Sequence, residues 1–201
     1  MIIDCNGLLF QPWIGTQYGE QSLFQIPVLV VGESNYGESR GSREEDAKFT
    51  HQLIENFISR TWNLRFFNNI QRCFVEEAYS IESRQKFWSS IAFYDYIQAW
   101  LPSHSMPPTE EMWTQAKPVF DSLISQLKPQ CVLFVCKRLY YRVACHYPAE
   151  TSFLVDGIKH DACLINGVLS TSIRHPSRNG FRNSRSCVRT LLKTVNGTTW
   201  V

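Results

Sequence analysis

Apolar residues fall along this chain in two rhythms. Short unbroken runs at Ile26–Val31 and Cys131–Cys136 read as strands buried on both faces. Leu169–Ile173 reads as a third strand, entered from a hairpin around Ile165-Asn166-Gly167-Val168, because Asn-Gly suits a two-residue turn. Elsewhere the apolar positions recur every three or four residues, the period of a helix with one buried face. Such a pattern predicts a helix from Glu44 to Ser59, with Phe49, Leu53, Ile54, Phe57 and Ile58 inward, and a partly helical, aromatic segment from Trp62 to Tyr79. Thr109 is placed to cap a helix whose stripe runs Met112, Ala116, Val119, Phe120, Leu123, Ile124 and Leu127, with Pro129 ending it. A short helix is expected over Lys137–Cys145 and a last one over Arg182–Thr194. The apolar segment Phe87–Tyr96 leads into a loop marked by Pro102, His104, Pro107 and Pro108. Strands alternating with helices predict an α/β fold, a three-layer α/β/α sandwich on a mostly parallel central sheet. At 201 residues the whole chain, 1–201, is expected to be one domain. Ligands of such sheets bind beyond the carboxyl ends of the strands, so the residues after each run are the ones to examine.

Composition narrows the class. A hydrophobic fraction of 44% against 19% charged residues supports a packed core and argues against disorder. No run approaches the roughly 20 apolar residues needed to span a bilayer, and the first residues do not read as a signal peptide. A soluble, cytoplasmic protein is expected, with no membrane partner. Seven cysteines, an odd number without a CxxC pair, suggest neither a disulfide framework nor a zinc site. His51, His104, His146 and His160 show no ligand spacing and read as structural or surface residues, so no metal is expected. Net charge is only +2, yet from Gly157 onward seven Lys or Arg face a single acid, Asp161. That stretch carries +6 and the other 156 residues −4, a distribution suited to a basic face for a polyanion, or to no more than a solvated helix face.

Three polar groups follow the apolar runs. After the first comes Gly32-Glu33-Ser34-Asn35-Tyr36-Gly37, whose spacing fits neither a dinucleotide loop nor a Walker A loop. Asp95 sits among Phe93, Tyr94 and Tyr96, and Arg174-His175-Pro176-Ser177 follows the last run, with Arg178, Asn179, Gly180 and Phe181 behind it. Taken singly, Glu33 reads equally as a cap, Asp95 as a turn or ion-pair residue, and His175 as a satisfied loop histidine.

In order and context these groups resemble the motifs of the uracil-DNA glycosylase superfamily. That family has a Gly-Gln-Asp-Pro-Tyr, Gly-Glu-Ala-Pro-Gly or related loop after its first strand, a middle motif that reads the base, and a late His-Pro-Ser loop. The helix before Lys128-Pro129 and the strand after it add to the likeness, which spans about residues 26 to 194. The resemblance implies base flipping and hydrolysis of an N-glycosidic bond in DNA, without a lyase step and with no cofactor. It implies that His175 donates to the base oxygen that gains charge, that Glu33 orients water or stabilises the sugar cation, and that Tyr36 packs beside the flipped base with Ser34 and Asn35 near it. It also implies that the Arg178–Phe181 loop enters the duplex, with Phe181 as wedge, while Arg174, Ser177, Arg178, Arg182 and Arg185 hold phosphates.

Departures from the family are informative. Ser34 stands where the best-known branch has a water-activating Asp, so chemistry is expected to rest on Glu33, Asp95 or both. Cys5 alone lies near the N-terminus, which speaks against an iron–sulfur cluster. An ionised Asp95 in the base-reading position would offer only acceptors, suiting the exocyclic amine of a cytosine-type base over O4 of uracil. Since ordinary cytosine cannot be the target, a modified cytosine of phage DNA, glucosylated hydroxymethylcytosine included, is the favoured substrate, giving antiviral defence. The polar loop Glu38–Asp46 would leave room for the substituent, whereas Tyr36 resembles the residue that blocks carbon 5 in uracil-specific enzymes. The alternatives are a uracil-type repair glycosylase, a non-catalytic DNA-binding module of the same fold, and a protein acting on free nucleotides. A monomer that acts on DNA is expected.

Overall fold

The computed structural model describes residues 3–77, 79–147, 150–177 and 181–197. A two-residue strand, β1 (Trp13–Ile14), precedes β2 (Val28–Gly32), in which every residue is buried. After a second short strand, β3 (Asn35–Tyr36), come four helices: α1 (Arg43–Ala47), α2 (Phe49–Ile58), α3 (Arg65–Phe74) and α4 (Ile81–Trp88). The single helix expected over Glu44–Ser59 is therefore two. Asp46 accounts for the break. Its buried carboxylate accepts the Ser39 hydroxyl and the Arg40 N–H, each at 2.7 Å, which ties the end of α1 back to the loop before it. The aromatic stretch Phe87–Tyr96 divides between the end of α4 and strand β4 (Ile91–Asp95), and a two-residue β5 (Trp100–Leu101) pairs with β3.

Helix α5 (Glu110–Leu127) starts where expected, the Thr109 hydroxyl accepting the Met112 N–H at 3.3 Å. It stops at Lys128, which takes a left-handed φ of 47° and returns its N–H to the Ile124 carbonyl, one residue ahead of Pro129. Strand β6 (Cys131–Phe134) and helix α6 (Lys137–Ala144) follow. The chain then forms a three-stranded meander, β7 (Glu150–Val155), β8 (Ile158–Ile165) and β9 (Val168–Ser172), and closes with α7 (Phe181–Val195). The Asn166-Gly167 hairpin is present. A second one turns at Asp156-Gly157, both with positive φ (50° and 78°), a signal of the same kind in a stretch for which no strand was expected.

One sheet holds seven strands in the order β1-β4-β2-β6-β9-β8-β7. The central four are parallel; β1 on one side and β8 on the other run antiparallel to them, and β7, antiparallel to β8, runs in the direction of the central four. Alternate residues of the central strands feed two cores. Leu29, Val31, Ala92, Tyr94, Val132 and Phe134 pack against α5 and α6. Val28, Val30, Ile91, Phe93, Cys131 and Leu133 pack against α2, α3, α4 and α7 on the opposite face. Helices thus cover both faces, and the fold is an α/β sandwich. From β2 the chain passes to β4 on one side; from β6 it continues to the meander on the other. The connections that leave the paired carboxyl ends of β2 and β6 therefore go opposite ways, the arrangement that forms a binding crevice in sheets of this kind.

Candidate functional site

Gly32 ends β2 directly beside Asp95, the last residue of β4. A Cβ on Gly32 would lie 2.4 Å from Asp95 Oδ1 and 3.0 Å from Phe93 Cζ, so the carboxyl rests on the bare Cα and would have to shift for any larger residue. Strand alternation puts Asp95 on the face of Phe93 and Val30, the one covered by α3. Asp95 is 6% exposed, and burial pushes its ionisation up from 3.8 to about 7, with the Asn35 side chain opposing part of the rise. Asn35 is itself buried, and its Nδ2 makes no hydrogen bond of good geometry; the buried Ser34 hydroxyl is likewise unpartnered. The turn after Asp95 is braced by Gln98, which donates to the Asp95 carbonyl at 2.6 Å and accepts the N–H groups of Leu9 and Phe10.

A carboxyl that ionises near 7 folded and near 3.8 unfolded has a definite effect on stability. Between those values the folded state holds a proton that the unfolded state has released. Stability is therefore lost as pH rises through this window, and the penalty is complete above it, at most about 4 kcal/mol. Asp95→Asn is expected to abolish this part of the slope in urea titrations run from pH 4 to pH 8. An unchanged slope would show that the carboxyl is not desolvated.

Glu33 takes a different position. Its side chain is 8% exposed and is held by Arg138, in the first turn of α6: Nε donates to Oε2 at 3.0 Å, and Nη2 makes a second bond to Oε1. Tyr36 points away from the buried carboxyl. On the short strand β3 the side chains alternate, so Asn35 turns inward while Tyr36, 39% exposed, sets its ring edge-on to His104 at 5.4 Å. The space beside Asp95 is thus bounded by Asn35 and not by Tyr36. The loop expected to be open from Glu38 to Asp46 is pinned by the bonds to Asp46 already described.

His175 lies three residues past β9. Its Nδ1 accepts the Ser177 N–H at 3.2 Å, which puts the proton of a neutral ring on Nε2. The imidazole packs 5.3 Å from the ring of Phe66, and Phe66 meets Phe93 at 6.3 Å, so one aromatic residue of α3 links the third loop to the strand that carries Asp95. Asn69, one turn on, donates to the Pro176 carbonyl at 2.7 Å and fixes the loop from below. Neither Phe66, Asn69 nor Arg138 stood out in the sequence. Phe66 and Asn69 share one face of α3, and Arg138 opens the helix after β6, so each would be found only by knowing which elements meet.

Arg174 and Ser177 are exposed. Arg185 lies 3.1 Å from the Glu76 carboxylate, which also holds Arg189 at 2.9 Å, so its charge is already shared inside the protein. Arg178 lies outside the described residues; Phe181 and Arg182 open α7, and their side chains are likewise outside the description. Among the described residues no group of three or more His, Cys, Asp or Glu could hold a metal ion, and no helix is long and apolar enough to cross a membrane. A cavity of about 290 Å³ lies on the opposite face of the sheet, lined by Gly7, Gln98, Met112 and Val119; Glu33, Asp95 and His175 are not among its lining residues. The crevice edge therefore combines a buried carboxyl titrating near neutrality, an imidazole whose Nδ1 accepts the Ser177 N–H, a half-buried aromatic face and an oriented carboxylate. Compared with models of known protein families and with curated protein sequences, the chain matches none.

Proposed function

We propose that the chain is a monofunctional DNA glycosylase of the uracil-DNA glycosylase type, which flips a nucleotide out of DNA and hydrolyses its N-glycosidic bond. One observation carries the reading. The loops after β2, β4 and β9, far apart in sequence, reach the same edge of the sheet with the ordered set Gly32-Glu33, Asp95 and His175. In this reading the flipped base lies against Phe66, with Asp95 and Asn35 at its hydrogen-bonding edge and His175 at its oxygen. Cleavage leaves an oxocarbenium-like sugar and an anionic base; the Nε2–H of His175 stabilises the base and Glu33 the sugar. Water then adds its oxygen to carbon 1′, its proton passes to the departing base, and an abasic site remains. Arg174 and Ser177, with Arg178 and Arg182 beyond them, would hold the strand, and Phe181 would fill the gap left by the base.

The favoured target is a modified cytosine in phage DNA, with defence as the role. An ionised Asp95 accepts from an exocyclic amine, and the outward turn of Tyr36 removes the argument that it blocks carbon 5. Partial protonation of Asp95 favours a second reading, because a neutral carboxyl both donates and accepts and can face O4 of uracil. Duplexes carrying uracil, cytosine, 5-hydroxymethylcytosine or glucosylated hydroxymethylcytosine, cut at abasic sites with alkali at pH 6 and pH 8, separate the two. Release of a modified cytosine, more selective at pH 8 and shifted toward uracil by Asp95→Asn, is the expected result. Uracil release alone would retain the glycosylase and remove the cytosine argument. Silence on every duplex with DNA binding intact would make the chain a binding module.

A further inference from the structure

We propose that Arg138 is a positioning residue that holds the Glu33 carboxylate in its working geometry; the inference rests on the role given to Glu33 above. The two residues are 105 positions apart and face each other across the crevice between the ends of β2 and β6. The pair is asymmetric in a telling way. Glu33 is almost wholly buried at 8% exposure, while Arg138 is 56% exposed. A surface staple would bury neither partner, and two flexible exposed chains would gain little from pairing. Here a carboxylate is sunk into the crevice wall and one guanidinium engages both of its oxygens. Among the described residues no other group donates a hydrogen bond to it.

Two parallel bonds fix the plane of the carboxylate as well as its place, which a lysine, as a point charge, could not do. Such a pairing makes the carboxylate an oriented acceptor. That is what an oxocarbenium-like sugar requires: the cation is reactive enough to take water with little deprotonation, provided the water is aimed.

The test is a double-mutant cycle in single-turnover base release, on whichever duplex the alkali assay identifies. Arg138→Ala is expected to slow release about 10- to 100-fold with DNA affinity little changed. Arg138→Lys, which retains the charge and the fold, should recover only part of the loss. In a Glu33→Gln background Arg138→Ala should cost nothing further. A loss of equal size in that background, full activity of Arg138→Lys, or a fall in affinity alone would overturn the assignment. Should Glu33→Gln by itself leave the rate unchanged, the role of Glu33 falls first, and that failure is seen before Arg138 is altered.

Discussion

Replacing His175 with alanine is expected to slow base release by about 100- to 1000-fold, the usual cost of losing one preorganised donor to a developing oxyanion. The geometry argues for so large an effect. A histidine on a free loop would sample both tautomers and several rotamers, whereas this ring is held from three sides. The Ser177 N–H occupies Nδ1, the Phe66 ring packs against the imidazole, and Asn69 anchors the neighbouring Pro176 carbonyl. The orientation is set before substrate arrives, so little free energy is spent arranging it in the transition state. Single-turnover rates at saturating enzyme, compared with DNA affinity from titration, check the expectation. A loss below about tenfold, or one matched by weakened binding, would remove His175 from the chemistry. Asn69→Ala, which loosens the loop without touching the ring, should produce a smaller loss in the same assay.

Trp88→Ala is expected to cost about 3–5 kcal/mol of stability, the range for truncating a fully buried large aromatic. Trp88 has no exposed surface and is the hub of the aromatic core beneath the site. Its ring contacts Phe57, Phe67, Phe87 and Phe93 at centroid distances of 5.2 to 6.1 Å, and its carbonyl accepts the Trp13 indole N–H at 2.7 Å. Three helices and two strands cannot collapse around the void, because each ring is already wedged edge-on against that of Trp88. The loss also reaches the site, since Phe93 supports both Gly32 and Phe66. Urea unfolding should show a lower midpoint with an unchanged slope. A cost under about 1 kcal/mol would mean that the cluster repacks, and that the rigidity assigned to Phe66 and His175 has another source.

Local pattern made much of the frame legible. Val28–Gly32 and Cys131–Phe134 are buried at every position, as unbroken apolar runs require, and Thr109 caps α5 through its hydroxyl as its residue type allows. The meander is half legible: Asn166-Gly167 marks a turn between apolar runs, while the equivalent Asp156-Gly157 follows Glu150–Val155, which has little apolar alternation. An edge strand needs little, since only one side of it is paired. The break at Lys48 lies in a sequence with unbroken helical period; a side-chain bond from Asp46 to the preceding loop outweighs that period.

Residue order alone placed Glu33, Asp95 and His175 after successive runs, because parallel strands send every such residue to one edge whatever the helices between them do. What each of those groups is there was decided by contacts that no local pattern contains. Asp95 reads in sequence as a plain carboxylate, yet burial against Gly32 brings its ionisation to about 7. Glu33 reads as one acid among many, yet an arginine from the third parallel strand's helix takes both its oxygens. Tyr36, expected on the same side as Asn35, turns outward because a two-residue strand sends one side chain in and the next out. Periodicity records which residues face a core; the dielectric around a charge, and the partner that meets it, exist only once distant segments have packed together.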